Sequence, residues 1–158
     1  MEMEYFVERL KVNYKTLAQF KKFKAYGQKE LSMQEDLEAN IIENNSDSPF
    51  YGIYFGNQLV ARMSLYFIDT HFDYYFNNSQ TYLELLKLEV LAEYQGKGYG
   101  TALVSFAKSF NLPIVTKPIL NSNHFWEKLN FSSITDETKS TNSNLLIWHP
   151  ANEMKNIS

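Results

Sequence analysis

The sequence predicts a mixed α/β fold of the α+β kind: one central, mostly antiparallel sheet flanked by helices, with a parallel element where a helix follows a strand. Three observations predict it. Short β-rich runs recur along the chain, and two of them, Phe50–Phe55 and Gln58–Ile68, are split by a Gly-Asn pair. Apolar residues at three- and four-residue spacing mark helices between other runs. The strand-like run Tyr82–Leu91 leads into a glycine-dense turn and then a helical pattern, the order a parallel crossover requires. At 158 residues the chain is long enough for one domain, assigned to residues 1–150, with residues 151–158 as a polar, frayed C-terminal tail.

The elements follow in order. Tyr5–Lys11 reads as a short strand. Tyr14–Tyr26 reads as a helix carrying Leu17, Phe20 and Phe23, with lysines on its solvated face and Gly27 at its end. Ser32 and Glu35 stand at capping-box spacing, and Met33, Leu37 and Ile41 repeat every four residues to make one apolar stripe. Glu35, Asp36 and Glu38 read as a solvated acidic patch, and Asn44–Pro49 as a turn. After the hairpin, 69–80 is a polar and aromatic loop, whose run His71–Phe76 reads as satellite packing, with a lid or a dimer contact as the alternative. Tyr82–Leu91 alternates, with Glu84, Leu86, Leu88 and Val90 on one face and Leu85, Lys87, Glu89 and Leu91 on the other. Thr101–Phe110 is helical, Pro113–Thr116 a strand and Asn123–Leu129 a short helix; Phe131–Ile134 and Leu145–His149 close the chain as strands.

Composition removes several function classes. No cysteine is present, which excludes disulfides, thiolate metal centres and a cysteine nucleophile, and fits a cytoplasmic chain. The net charge of −3 speaks against a broad nucleic-acid footprint. The longest unbroken apolar runs, Leu65–Ile68 and Leu145–Trp148, are far too short to span a membrane. No His and carboxylate set has metal-ligand spacing, so no metal is expected. The aromatic content of 16% leaves room for a homodimer.

The informative segment is Leu88–Thr101, which holds three of the chain's six glycines at Gly96, Gly98 and Gly100. Backbone N–H groups at a helix N-terminus are unpaired and sit at the positive end of the macrodipole. Glycines let a ligand approach them closely, so the product is a phosphate or pyrophosphate cradle, with Lys97 adding a cation at its mouth. The P-loop pattern is absent, and the G-x-G-x-G spacing departs from the dinucleotide-binding fingerprint. A turn that merely redirects the chain is the competing reading.

Gln95-x-x-Gly98-x-Gly100 resembles the Q/R-x-x-G-x-G/A signature of the GNAT superfamily of acetyl-coenzyme A dependent N-acetyltransferases. A second block, Asn121–Phe131, looks like that family's C-terminal F-Y-E-K-L-G-F helix and strand, in the expected order and about 25 residues further on. The chain is similar to small bacterial members. The resemblance implies a sheet whose central strands splay to admit acetyl-coenzyme A. It implies that main-chain groups of Leu88, Glu89 and Val90 pair with the pantetheine arm. Gln95, Gly96, Lys97, Gly98, Tyr99, Gly100 and Thr101 would hold the pyrophosphate, and Asn121 would bond the coenzyme, with Asn123 as its neighbouring substitute.

The implied chemistry is direct attack of a primary amine, from a small molecule or a protein, on the acetyl thioester. Deprotonating an amine of pKa about 10.4 at neutral pH costs roughly 4 kcal/mol, and a carboxylate, commonly acting through water, can carry that proton away. Glu84 stands at the position of the family's general-base glutamate, and Glu89 is the other carboxylate of the strand. Trp126 occupies the place of the tyrosine that often protonates the departing thiolate, and an indole N–H is no acid at neutral pH. That departure motivates an alternative: a non-catalytic coenzyme-binding or protein-interaction module on the same fold. His124, beside Trp126, reads as a surface residue.

Overall fold

A computed structural model describes residues 5–26, 31–72, 76, 80–118, 123–133 and 145–151. Six strands form one sheet in the order β1-β2-β3-β4-β5-β6: β1 Glu8–Arg9, β2 Phe50–Phe55, β3 Gln58–Ile68, β4 Tyr82–Val90, β5 Ile114–Thr116 and β6 Leu146–Trp148. The helices are α1 Tyr14–Phe20, α2 Leu31–Ile42, α3 Tyr99–Lys108 and α4 Asn123–Lys128. The β4–β5 ladder is parallel, and the β1–β2, β2–β3 and β5–β6 ladders are antiparallel. The expected α+β architecture is therefore present. Its contacts divide the chain into two compact units, Met1–Ser64 with Lys87–Leu103, and Leu65–Leu86 with Val104–Ser158.

In the first unit, α1 starts where Asn13, in extended conformation, accepts the N–H of Thr16 on its side-chain oxygen at 2.9 Å. The helix tightens to 3-10 geometry over Lys21–Tyr26. Leu17, Phe20 and Phe23 are buried, as are Met33 and Leu37 of α2. The helix α2 begins at Leu31, so Ser32 lies inside it instead of capping it. Asp36 is not merely solvated: it accepts a hydrogen bond from Lys87 Nζ at 3.1 Å, tying α2 to β4.

The β2–β3 hairpin turns through Gly56, whose φ of +63° glycine adopts without a Cβ penalty, and closes at the Phe55–Gln58 pair. Gly52 answers a different need. A Cβ there would stand 2.7 Å from both the Ala61 carbonyl oxygen and Leu59 Cδ1, so only glycine lets β2 pack this closely. The β2–β3 register shifts between Ile53 and Tyr54, leaving Val60 as the extra residue of a bulge. Its carbonyl accepts the Leu91 N–H at 2.9 Å, which fixes the chain just past the end of β4. The strand β1 is shorter than the expected Tyr5–Lys11, because Tyr5 is engaged with the glycine turn.

In the second unit, β4 pairs with β5 at Leu83–Ile114 and Glu84–Val115, and Thr116 Oγ1 donates to the Leu85 carbonyl at 2.8 Å. Phe76, Tyr82, Val115, Leu145 and Ile147 form a buried cluster that Ile68 flanks, which places Phe76 of the 69–80 loop in packed surroundings. Residues 73–75 and 77–79 of that loop lie outside the described residues. The helix α4 ends with Asn130 in the left-handed region at φ +70°; Phe131 N–H donates to the Trp126 carbonyl, and Asn130 N–H to that of Glu127. This is a Schellman ending, with Asn130 where glycine is usual. Phe131 also packs its ring 5.1 Å from that of Trp126, the hydrophobic contact that accompanies the motif. The expected strand Phe131–Ile134 reduces to a single bridge between Ser132 and Ile147, since Phe131 serves the helix cap; Ile134 is outside the described residues.

Candidate active site

The glycine turn sits where the sequence reading puts it, between the end of β4 and the start of α3. Gly96 and Gly98 adopt φ of +76° and +91°, values that side chains other than glycine take at a cost. Gly100 lies in the first turn of α3. The Ala102 N–H donates to the Gly98 carbonyl, which is the first i to i−4 bond of the helix. The N–H groups of Gly98, Tyr99, Gly100 and Thr101 therefore precede the helical ladder and form its positive end. Among the described residues, a Cβ at Gly96 would meet nothing within 4 Å, whereas one at Gly98 would lie 3.6 Å from Tyr5 Cε2.

The remaining expected residues distribute as follows. Gln95 does not point away from the strand: its Nε2 donates to the Val90 carbonyl at 3.1 Å and closes the turn against β4. Lys97 is exposed, with Nζ 5.6 Å above the Tyr94 ring. Leu88 and Val90 are half-buried, and β4 runs on to Val90 beyond its ladder with β5. Glu84 is half-buried on β4 opposite Val115. Asn121 lies outside the described residues; Asn123 begins α4. Trp126 is buried and meets Phe125 and Phe131 edge to face, whereas His124 is exposed.

Glu89 has a partner that sequence reasoning missed. Arg62 donates from Nη2 at 2.6 Å and from Nε at 3.1 Å to the same Glu89 oxygen, Oε1. The two side chains are 1% and 15% exposed, so the pair is desolvated. Arg62 also donates to the Phe20 carbonyl at 3.3 Å and lies 4.7 and 4.2 Å from the centroids of Phe20 and Phe23. One sequence signal was available: Arg62 is the single charged residue of Gln58–Ile68, and a charge inside a buried strand needs a counter-charge.

A second missed group is aromatic. Tyr5 stacks on Tyr99 at 4.2 Å, Tyr94 meets Tyr99 edge to face at 5.9 Å, and Phe55 meets Tyr94 at 5.8 Å. Burial, then Tyr5 and Tyr94, push the Tyr99 phenol above its usual pKa. Among the described residues no cluster of three His, Asp or Glu could hold a metal ion, and no helix is long and apolar enough to cross a membrane.

Comparison with known proteins decides the family. A model of the acetyltransferase (GNAT) family matches residues 13–131. This chain belongs to the GNAT family. It is an acyltransferase of the N-acetyltransferase kind, as its GNAT relatives are named. A Bacillus licheniformis protein named an uncharacterized N-acetyltransferase is 60% identical over 148 residues, 93% of each chain. One of the same designation from Oceanobacillus iheyensis is 61% identical over 91% of each chain. Among solved structures, the Bacillus subtilis N-acetyltransferase YlbP in complex with coenzyme A is 58% identical, covering 92% of this chain and 97% of its own with a TM-score of 0.72.

Proposed function

We propose that this GNAT protein moves the acetyl group of acetyl-coenzyme A onto a primary amine of a small molecule or a protein. The observation that carries the reading is the positive-φ turn at Gly96 and Gly98, uncrowded at Gly96 and followed by the first N–H groups of α3. Such a turn suits a pyrophosphate, whose charge the helix terminus favours and whose oxygens the N–H groups can bond. The coenzyme complex of YlbP supports the same ligand here. In this reading Gln95, Gly96, Lys97, Gly98, Tyr99, Gly100 and Thr101 hold the pyrophosphate. Main-chain groups of Leu88, Glu89 and Val90 take the pantetheine arm, and Asn121 bonds the coenzyme.

Bound there, acetyl-coenzyme A supplies an acetyl thioester. The amine nitrogen bonds to the acetyl carbon, the carbon–sulfur bond breaks, and sulfur keeps the electron pair. A thiol of pKa about 8.5 leaves without an acid, so Trp126 needs no proton to give. The proton of the amine goes to a carboxylate of β4. Both glutamates are candidates, and we assign the role to Glu84. The Glu89 carboxylate is held by Arg62, which supports a part in fixing the end of β4.

The test is thiol release from acetyl-coenzyme A over a broad amine panel, with calorimetric titration of the same protein. Amine-dependent release that falls at least tenfold in Glu84→Gln, with coenzyme affinity unchanged, is expected; release insensitive to Glu84 would refute its role. Gly98→Glu should abolish coenzyme binding and leave the protein folded, at a stability cost of about 1–2 kcal/mol from its positive φ. Wild-type affinity in Gly98→Glu would sink the site.

A further inference from the structure

We infer that Tyr5, ninety-two residues before Lys97, is a positioning residue of the coenzyme turn: a clasp that holds the turn's backbone in its binding geometry before ligand arrives. The inference rests on the coenzyme reading above. Three contacts carry it. The Tyr5 hydroxyl donates to the Lys97 carbonyl at 2.7 Å. Its ring stacks on Tyr99, the first residue of α3, with centroids 4.2 Å apart and planes 25° from parallel. The same ring reaches Gly98, where a Cβ would lie 3.6 Å from Tyr5 Cε2. One side chain thus contacts Lys97 and Tyr99 and lies beside Gly98 between them, at the point where a positive-φ turn becomes a helix.

The physical need is clear. Two glycines at positive φ are also the two residues with most conformational freedom, so a turn built on them samples many shapes when free. A ligand that needs several N–H groups converging must bear the cost of ordering them, unless the protein has done so beforehand. Two brakes act on this turn. Gln95 fixes its beginning to the Val90 carbonyl, and Tyr5 fixes its end. The Lys97 carbonyl accepts the phenol, so this acceptor at the turn already has a donor. Tyr94, edge to face with Tyr99, supports the stack from a second side.

The experiment compares wild type, Tyr5→Phe and Tyr5→Leu. Coenzyme A is titrated calorimetrically, amide exchange of residues 96–101 is followed without ligand, and thermal unfolding is recorded. Tyr5→Phe keeps the stack and loses the hydroxyl bond. It should weaken coenzyme A binding about fivefold and speed exchange in the turn, with Tm nearly unchanged. Tyr5→Leu should weaken binding further. With any accepted amine, KM for acetyl-coenzyme A should rise while kcat at saturation holds. Wild-type affinity and wild-type exchange in Tyr5→Phe would overturn the inference, as would an affinity loss matched by global destabilisation. If wild-type protein binds no coenzyme A, the coenzyme reading itself fails and the clasp loses its function with it; binding by wild type with no effect of Tyr5 removes the clasp alone.

Discussion

Arg62 shows how a buried charge is accommodated beside the end of β4. A guanidinium buried to 1% exposure is tolerated because a carboxylate oxygen, a carbonyl and two aromatic faces receive it. Removing one member of such a pair strands the other, at about 3–5 kcal/mol, whereas replacing both with apolar groups of similar volume is often neutral. Urea denaturation of Arg62→Met should therefore show a loss of about 3 kcal/mol or more. Arg62→Met combined with Glu89→Leu should recover much of it. A double variant as weak as the sum of the singles would show that the contact with Phe20 and Phe23, and not the ion pair, holds the strand. The charge at position 62 was legible in the sequence and its partner was not, because Glu89 lies twenty-seven positions on, in the next strand.

At the scale of elements, this chain ends helices with asparagine. Asn44, Asn111 and Asn130 all sit in the left-handed region, at φ of 55°, 60° and 70°, after α2, α3 and α4. Each donates its N–H to a carbonyl three residues back, closing the last turn. Asparagine tolerates this conformation better than other side chains but less well than glycine. Asn130→Gly should thus leave the protein as stable or up to about 1 kcal/mol more stable, and Asn130→Val should cost about 1–2 kcal/mol. Thermal unfolding of the pair checks both signs. Lys108, the last residue of α3, brings a cation to the end of α4: its Nζ donates to the Leu129 carbonyl at 2.6 Å and lies 5.0 Å from the Trp148 centroid. Burial there lowers the Lys108 pKa below its ordinary value. The Trp126–Phe131 contact packs the aromatic block against the end of its own helix.

For the whole molecule, two tyrosines contribute a loss of stability at alkaline pH. Burial, then Glu8, raises the Tyr54 pKa, and burial, then the neighbouring tyrosines, raises that of Tyr99. A group whose folded pKa exceeds its unfolded value keeps its proton in the folded state while the unfolded chain gives it up. Its stabilising contribution is whole below pH about 10 and is lost as pH rises through the folded pKa. Lys108 acts with the opposite sign, since the unfolded chain binds its proton more tightly. Stability measured by denaturant against pH should fall above pH about 10, and Tyr99→Phe should flatten the fall. An unchanged slope in that variant would assign the alkaline loss to other groups.

Local patterns in the amino-acid order were enough for the α+β class, the hairpin at Gly56, the parallel crossover and the glycine turn that opens α3. Each is local: periodicity, turn chemistry and glycine conformation act within a few residues, so a string of letters records them. It also recorded the family, because the motif Gln95-x-x-Gly98-x-Gly100 is itself a local solution to building a turn before a helix. The tertiary structure alone decided which side chains meet. It joined Arg62 to Glu89, Asp36 to Lys87 and Tyr5 to the turn, and it shortened β1 and the expected strand after Phe131. Those outcomes depend on contacts between residues far apart in the chain, where no spacing rule applies and packing and charge pairing choose the partner.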